Sequence, residues 1–273
     1  MGDPGLFGPD SITWRVNREG VLLLGGGAAL ILQVAHPLVG AGVAEHSNYR
    51  EDPWGRLYRT LDLTTAIVFG STERAHEASE RIRSVHTRVH GVTKEDGGRY
   101  PAGTGYSAND PELGMWVHAT LVSTAMQVYS SYVGTLTHAE GLRYYEEQRR
   151  LGEMFGVPID RQPATLPEFY EYFDRMVEEE LAVTSALIDV VDATLRPALP
   201  FVARPLVEAV NRVTVSMLPA RLREELGLEL GANGRRFVSA SRALIRRALP
   251  VLPRLLREFP PARSADRRVA TAA

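Results

Sequence analysis

The sequence predicts an all-α fold, and three observations carry that expectation. Apolar residues recur at spacings of three and four over most of the 273 residues. Helix-start signals recur along the chain, at Ser11, Asp52-Pro53, Ser71 and Asp110-Pro111. No stretch alternates apolar and polar residues for long enough to make a convincing strand. With 44% hydrophobic residues the chain can bury a sizeable core, and one multi-helix globular domain over residues 1–273 is expected.

Taken in order, Ser11 opens a helix through Ile12, Trp14 and Val16, and a second covers residues 21–35. Gly25, Gly26 and Gly27 each cost this second helix about 1 kcal/mol of propensity, so close approach of a neighbouring helix or of a flat ligand is expected there. His36-Pro37 marks an end or a kink, because a residue before proline is pushed out of the α region. A third helix spans residues 38–46. Asp52-Pro53 starts a fourth, on which Arg56, Arg59, Thr60 and Asp62 share one edge. The next helix begins at Ser71 and carries His86 and His90 one turn apart, with Gly91 as its C-cap. Residues 93–109 read as the longest loop. Helices follow from Asp110-Pro111 and over residues 137–155 and 166–191. Prolines divide the remainder, where residues 235–249 place Phe237, Ala240, Leu244 and Ala248 opposite Arg235, Arg242 and Arg246.

Composition removes several classes of function. Cysteine is absent, which excludes disulfides, thiolate haem ligation, zinc–thiolate clusters and iron–sulfur sites, and leaves His, carboxylate or Tyr to hold a cofactor. Lys94 is the single lysine among 31 basic residues, and the formal net charge of -2 argues against a nucleic-acid partner. From Pro200 onward, however, 14 arginines face six acidic residues. The apolar run at 21–35 is too short for a transmembrane span, and the N-terminus lacks a secretory pattern, so the expected address is cytoplasmic. Peripheral membrane contact through the basic C-terminal part is a minor alternative to its packing as a cover on the domain.

Residues 33–60 mix apolar helix with His36, Glu45, His46, Arg56, Arg59 and Thr60. Ionisable groups woven into such a pattern must be paired, neutralised or bound to something, which predicts a buried site. The segments "QVAHPLVGAGVAEHS", "DPWGRLYRT", "RIRSVHTRVHG" and "DPELGMWVHATLV" resemble the catalytic domain shared by latex-clearing proteins, which are haem-dependent rubber oxygenases, and the endoplasmic-reticulum oxygenase of mycophenolic acid biosynthesis. The resemblance runs over residues 13–176.

It implies a haem b oxygenase or oxidoreductase whose helical domain encloses a buried cofactor cavity. By resemblance, His86 is the proximal ligand of the haem iron, and Arg56, Arg59 and Thr60 take the distal positions, serving both cofactor binding and catalysis. Arg59 stands where rubber oxygenases carry lysine. Arginine stays protonated and cannot ligate iron, so it can only donate hydrogen bonds, for example to a propionate, or pair with an acid such as Asp62. Glu45 is the candidate base or proton relay, on the expectation that an apolar surrounding raises its pKa. The implied partners are dioxygen and a small apolar metabolite, with isoprenoids among the candidates.

Two rivals stay open. A non-haem enzyme would use His86 and His90 with His46 or His118 and an acid around iron, manganese or zinc. A non-catalytic helical protein would bind a hydrophobic ligand in the same cavity. His36, His46, His90 and His118 are less favoured as ligands than His86, and His118 is expected in the core with Trp116 on the neighbouring face.

Overall fold

The computed structural model describes residues 3–47 and 53–270, without the side chains of Pro53, Trp54, Arg56 and Leu57. The described residues form fourteen α-helices and a single two-stranded sheet, so the fold is all-α.

Helix α1 (Ile12–Asn17) starts at Ser11, whose hydroxyl accepts the Trp14 N–H. The expected helix over 21–35 is divided instead into a 3₁₀ segment, Gly20–Gly25, and α2, Gly26–Ala35. Close helix packing accounts for two of its three glycines. A Cβ on Gly27 would lie 2.9 Å from Thr214 Oγ1, and one on Gly25 would lie 3.1 Å from Val128 Cγ2. His36 caps α2 and begins α3 (Pro37–His46), its backbone extended at ψ 118° as the following proline requires. The two apolar segments meet at a bend of 106°.

Helices α4 (Pro53–Phe69) and α5 (Thr72–His86) pack side by side. Asp52, the expected cap of α4, lies outside the described residues. Helix α5 ends at His86 with Thr87 as its C-cap, four residues before Gly91. Gly91 lies instead in strand β1 (His90–Val92), where a Cβ would stand 2.7 Å from the Tyr106 hydroxyl. Strand β1 pairs antiparallel with β2 (Gly105–Ser107), so much of the expected long loop is a hairpin. Three residues per strand are too few for period two to be visible in the sequence.

Asp110 caps α6 (Pro111–Val128), which continues as a π-helical turn, Tyr129–Val133. Thr137 and Glu140 form a reciprocal capping box on α7 (His138–Met154). The expected helix over 166–191 is two, α8 (Leu166–Glu179) and α9 (Ser185–Leu195). The break leaves the Ala182 N–H free to donate to Ala35 O, and Thr184 restarts the helix by accepting the Leu187 N–H. The chain finishes with α10 (Arg204–Met217), α11 (Ala220–Glu225), α12 (Gly231–Ala248), α13 (Arg254–Arg257) and α14 (Pro260–Ala270).

The main core forms where α2 meets α6, α9 and α10, and Trp116 Nε1 donates to Leu32 O at 3.1 Å within it. A second cluster centres on Trp14, whose ring meets Phe69 edge-on at 5.0 Å between centroids and is backed by Ala262 of α14. The inward face of α12 corrects the sequence reading. Gly234 and Val238 are buried and Ile245 packs on the core, whereas Ala240 and Leu244 face outward. The two stripes are about 100° apart on a helix rich in Ala and Ser, and the sequence pattern alone scarcely separates them.

Candidate functional site

Helices α4 and α5 are joined only by Gly70 and Ser71, so they run antiparallel. Their lengths of 17 and 15 residues bring the last turn of α5 level with the first turns of α4. The backbones that carry His86 and the Arg56, Arg59 and Thr60 edge therefore lie toward the same end of the pair. Farther along, Arg74 of α5 reaches Asp62 of α4 at 3.9 Å.

His86 is half-buried, and burial lowers its pKa, which favours the neutral imidazole. Its ring has no hydrogen-bond partner among the described residues. Arg59 and Thr60 are exposed, and the Arg56 side chain lies outside the described residues. The prediction that this whole stretch is buried is overturned at Glu45, His46, Arg59 and Thr60, all of which are exposed. The reason is where α4 meets the core: Ala66, Ile67, Val68 and Phe69 at its C-terminal end are buried, and the described residues of its first half are not.

Two open clefts stand elsewhere. One, of about 550 Å³, lies between α3, the residues after β1 and the start of α9, with Glu45, His46, Lys94 and Ser185 on its walls. The other, of about 780 Å³, lies between α6, α8 and the end of α10, and Met126, Phe173 and Met217 give it an apolar wall. Neither is lined by His86, Arg59 or Thr60. Residues 48–52, which join α3 to α4, lie outside the described residues.

Glu45 has an environment opposite to the one expected. Lys94 Nζ stands 2.7 Å from one of its oxygens and the Tyr106 hydroxyl donates to the other. These hydrogen bonds hold its pKa below the ordinary carboxylate value, so it is no raised-pKa acid. The Tyr106 hydroxyl also lies 3.3 Å from His46 Nε2, and burial together with Glu45 pushes the tyrosine pKa upward. This network ties α3 to the hairpin that follows His86. Sequence reasoning missed Tyr106 altogether, and the only pointer to Lys94 was its being the single lysine.

The remaining histidines separate into distinct roles. His36 is buried, and its Nδ1 accepts the Leu38 N–H at 3.3 Å as an N-cap. His118 is buried, with Nε2 at 2.8 Å from Gln148 O. His90 is exposed in β1, off the helix that carries His86, which removes the one-turn spacing on which the non-haem rival depended. Among the described residues no three His, Asp or Glu converge into a metal-holding group.

Burial pushes the pKa of both His36 and His118 down to about 4. A histidine depressed in the folded state stays neutral there while the unfolded chain takes up a proton near pH 6.5. Its contribution to stability is therefore complete above that pH and is lost as pH falls toward 4. Urea unfolding should show stability falling by up to about 1.4 kcal/mol per pH unit for each histidine across this window. Constant midpoints from neutral pH to pH 5 would contradict it.

The fold and the histidine-bearing helical pair define an all-α protein with a half-buried imidazole at the end of a helix. Residues 14–247 match the family described as ER-bound oxygenase mpaB/B'/Rubber oxygenase, catalytic domain. The chain belongs to this family of oxygenase catalytic domains, and the match runs well past the 13–176 over which the motifs were recognised. Among curated relatives it is 26% identical over 155 residues to the uncharacterized proteins Mb2261 of Mycobacterium bovis and Rv2237 of Mycobacterium tuberculosis. That similarity covers 55% of this chain and 58% of theirs. No solved structure matches significantly. Among the described residues no single helix is long and apolar enough to cross a membrane.

Proposed function

We propose that the protein is a haem b-dependent oxygenase acting on a small apolar metabolite, with isoprenoids the first class to try. The observation that carries this reading is His86: a half-buried imidazole kept neutral by burial, with no hydrogen-bond partner among the described residues, at the end where α5 meets α4. A half-buried ring with an uncommitted nitrogen suits an iron ligand. Family membership supports oxygenase chemistry.

In this reading His86 would hold the iron, and Arg56, Arg59 and Thr60 would contribute to the same cofactor site. Haem bound there would supply dioxygen activation. Arg59 keeps its charge at any accessible pH, so it offers hydrogen-bond donors and no lone pair. Thr60 adds a hydroxyl one residue on. Glu45 is ionised and held by Lys94 and Tyr106, so its part is to fix α3 against the hairpin.

Absorption spectroscopy of protein expressed with a haem precursor tests the reading. A Soret band is expected, with a ferric spectrum free of a second nitrogenous ligand, since Arg59 cannot provide one. Arg59→Lys should introduce a low-spin component at alkaline pH, as an amine in that position loses its proton. Protein that takes up no haem would overturn the proposal. Low-spin, bis-nitrogen ligation in the unmodified protein would overturn the distal assignment and point to His46 or His36.

A further inference from the structure

Helix α12 and the segment behind it carry a surface that the oxygenase reading does not use. Residues 231–257 contain seven arginines and no acidic residue. Arg254 and Arg257 are paired, with Glu258 and Glu19 respectively. The five arginines of α12 itself have no carboxylate partner among the described residues.

The same stretch exposes apolar side chains. Arg236, Ala240, Leu244 and Arg247 are all exposed and follow one another by three or four positions, so they form one outward stripe. Leu244 is 69% exposed on it. Every residue from Pro250 to Leu256 is also exposed, with Val251 at 81% and Leu255 and Leu256 at 71% each. The 3₁₀ segment Gly20–Gly25 packs against α13 and adds Leu23, half exposed.

Leucines left in water beside guanidinium groups without a carboxylate partner have the composition of an interfacial helix, whose apolar side enters the acyl boundary while its arginines meet phosphates. We propose that α12 and residues 250–256 dock on an anionic lipid bilayer surface. Leu244, Val251, Leu255 and Leu256 enter the headgroup region, and Arg236 and Arg247 of the same outward stripe meet lipid phosphates. Charge decides for lipid over a protein groove: residues 231–257 hold arginines and no carboxylate, and a bilayer is the partner that presents phosphates and an apolar layer together. The proposal is independent of the cofactor.

Sedimentation of the full chain with vesicles tests it. Vesicles mixing phosphatidylcholine and phosphatidylglycerol should pellet the protein at low salt, and vesicles of phosphatidylcholine alone should pellet far less. Arg247→Ala should weaken partitioning about fivefold. The double variant Leu255→Asp, Leu256→Asp should weaken it about tenfold or more, because apolar insertion is lost. These residues are on the surface, so the variants should fold, and Ile188→Asp, at another exposed apolar position, should bind as the unmodified protein does. Three results would overturn the proposal. The protein stays in the supernatant with the mixed vesicles; or the leucine variants bind undiminished, which reduces the patch to a general polyanion attraction; or sedimentation velocity shows a dimer that the leucine variants dissociate, which makes a second copy the occupant.

Discussion

His86→Ala should abolish haem retention, while His90→Ala should leave most of it. The two histidines are four residues apart, yet the end of α5 separates their environments. His86 closes the helix, half-buried and kept neutral, whereas His90 is exposed in β1 beyond the C-cap. Loss of an outer partner of a metal ligand costs roughly 10–100-fold in affinity, and loss of the ligand itself should cost more. Alanine is a strong helix former, so the variant should keep its far-ultraviolet circular dichroism. The ratio of Soret to protein absorbance in the two variants reads out the difference. Equal haem content in His86→Ala and the unmodified protein would remove His86 from the iron.

Glu19→Ala should destabilise the fold by about 3–5 kcal/mol, although Glu19 lies outside every sequence motif. Its side chain is 3% exposed, and both of its carboxylate oxygens accept hydrogen bonds from Arg257 at 2.7–3.1 Å. The pair joins the end of α1 to α13, where the Phe259 N–H also donates to Arg18 O. Removing the carboxylate would leave a guanidinium only 30% exposed and without its counter-charge. The double variant Glu19→Ala, Arg257→Leu should recover part of the loss, because the uncompensated charge is gone. Urea unfolding of the three variants measures this. A loss below about 1 kcal/mol in Glu19→Ala would place the pair among weak surface ion pairs.

The candidate site was legible in the sequence in some residues and illegible in others, for physical reasons. His36 as a kink and cap followed from the proline after it, a local steric rule that needs no tertiary information. His118 in the core followed from the apolar pattern around it. Glu45 went wrong because its partners, Lys94 and Tyr106, are about 50 and 60 residues away and reach it only when the hairpin folds onto α3. A carboxylate's pKa depends on such partners, and no local window contains them.

Local rules also account for most helix starts. Ser11, Ser71 and Asp110 each cap a helix with a side-chain oxygen, as read from the sequence, and Thr137 does the same on α7. Helix ends were less legible. Gly91 looked like a C-cap, and its lack of a side chain instead makes room for the Tyr106 hydroxyl, a contact set by strand pairing.

By itself, then, the sequence determined the all-α class, the bend at His36-Pro37 and the family motifs, since these depend on spacing, capping and proline sterics within a few residues. Only the tertiary structure decided which stripe of α12 faces inward, that Glu45 is held ionised, and that Arg59 and Thr60 lie at an exposed end of α4. Each of these depends on what a neighbouring element covers, and burial is a property of the packed whole rather than of any segment.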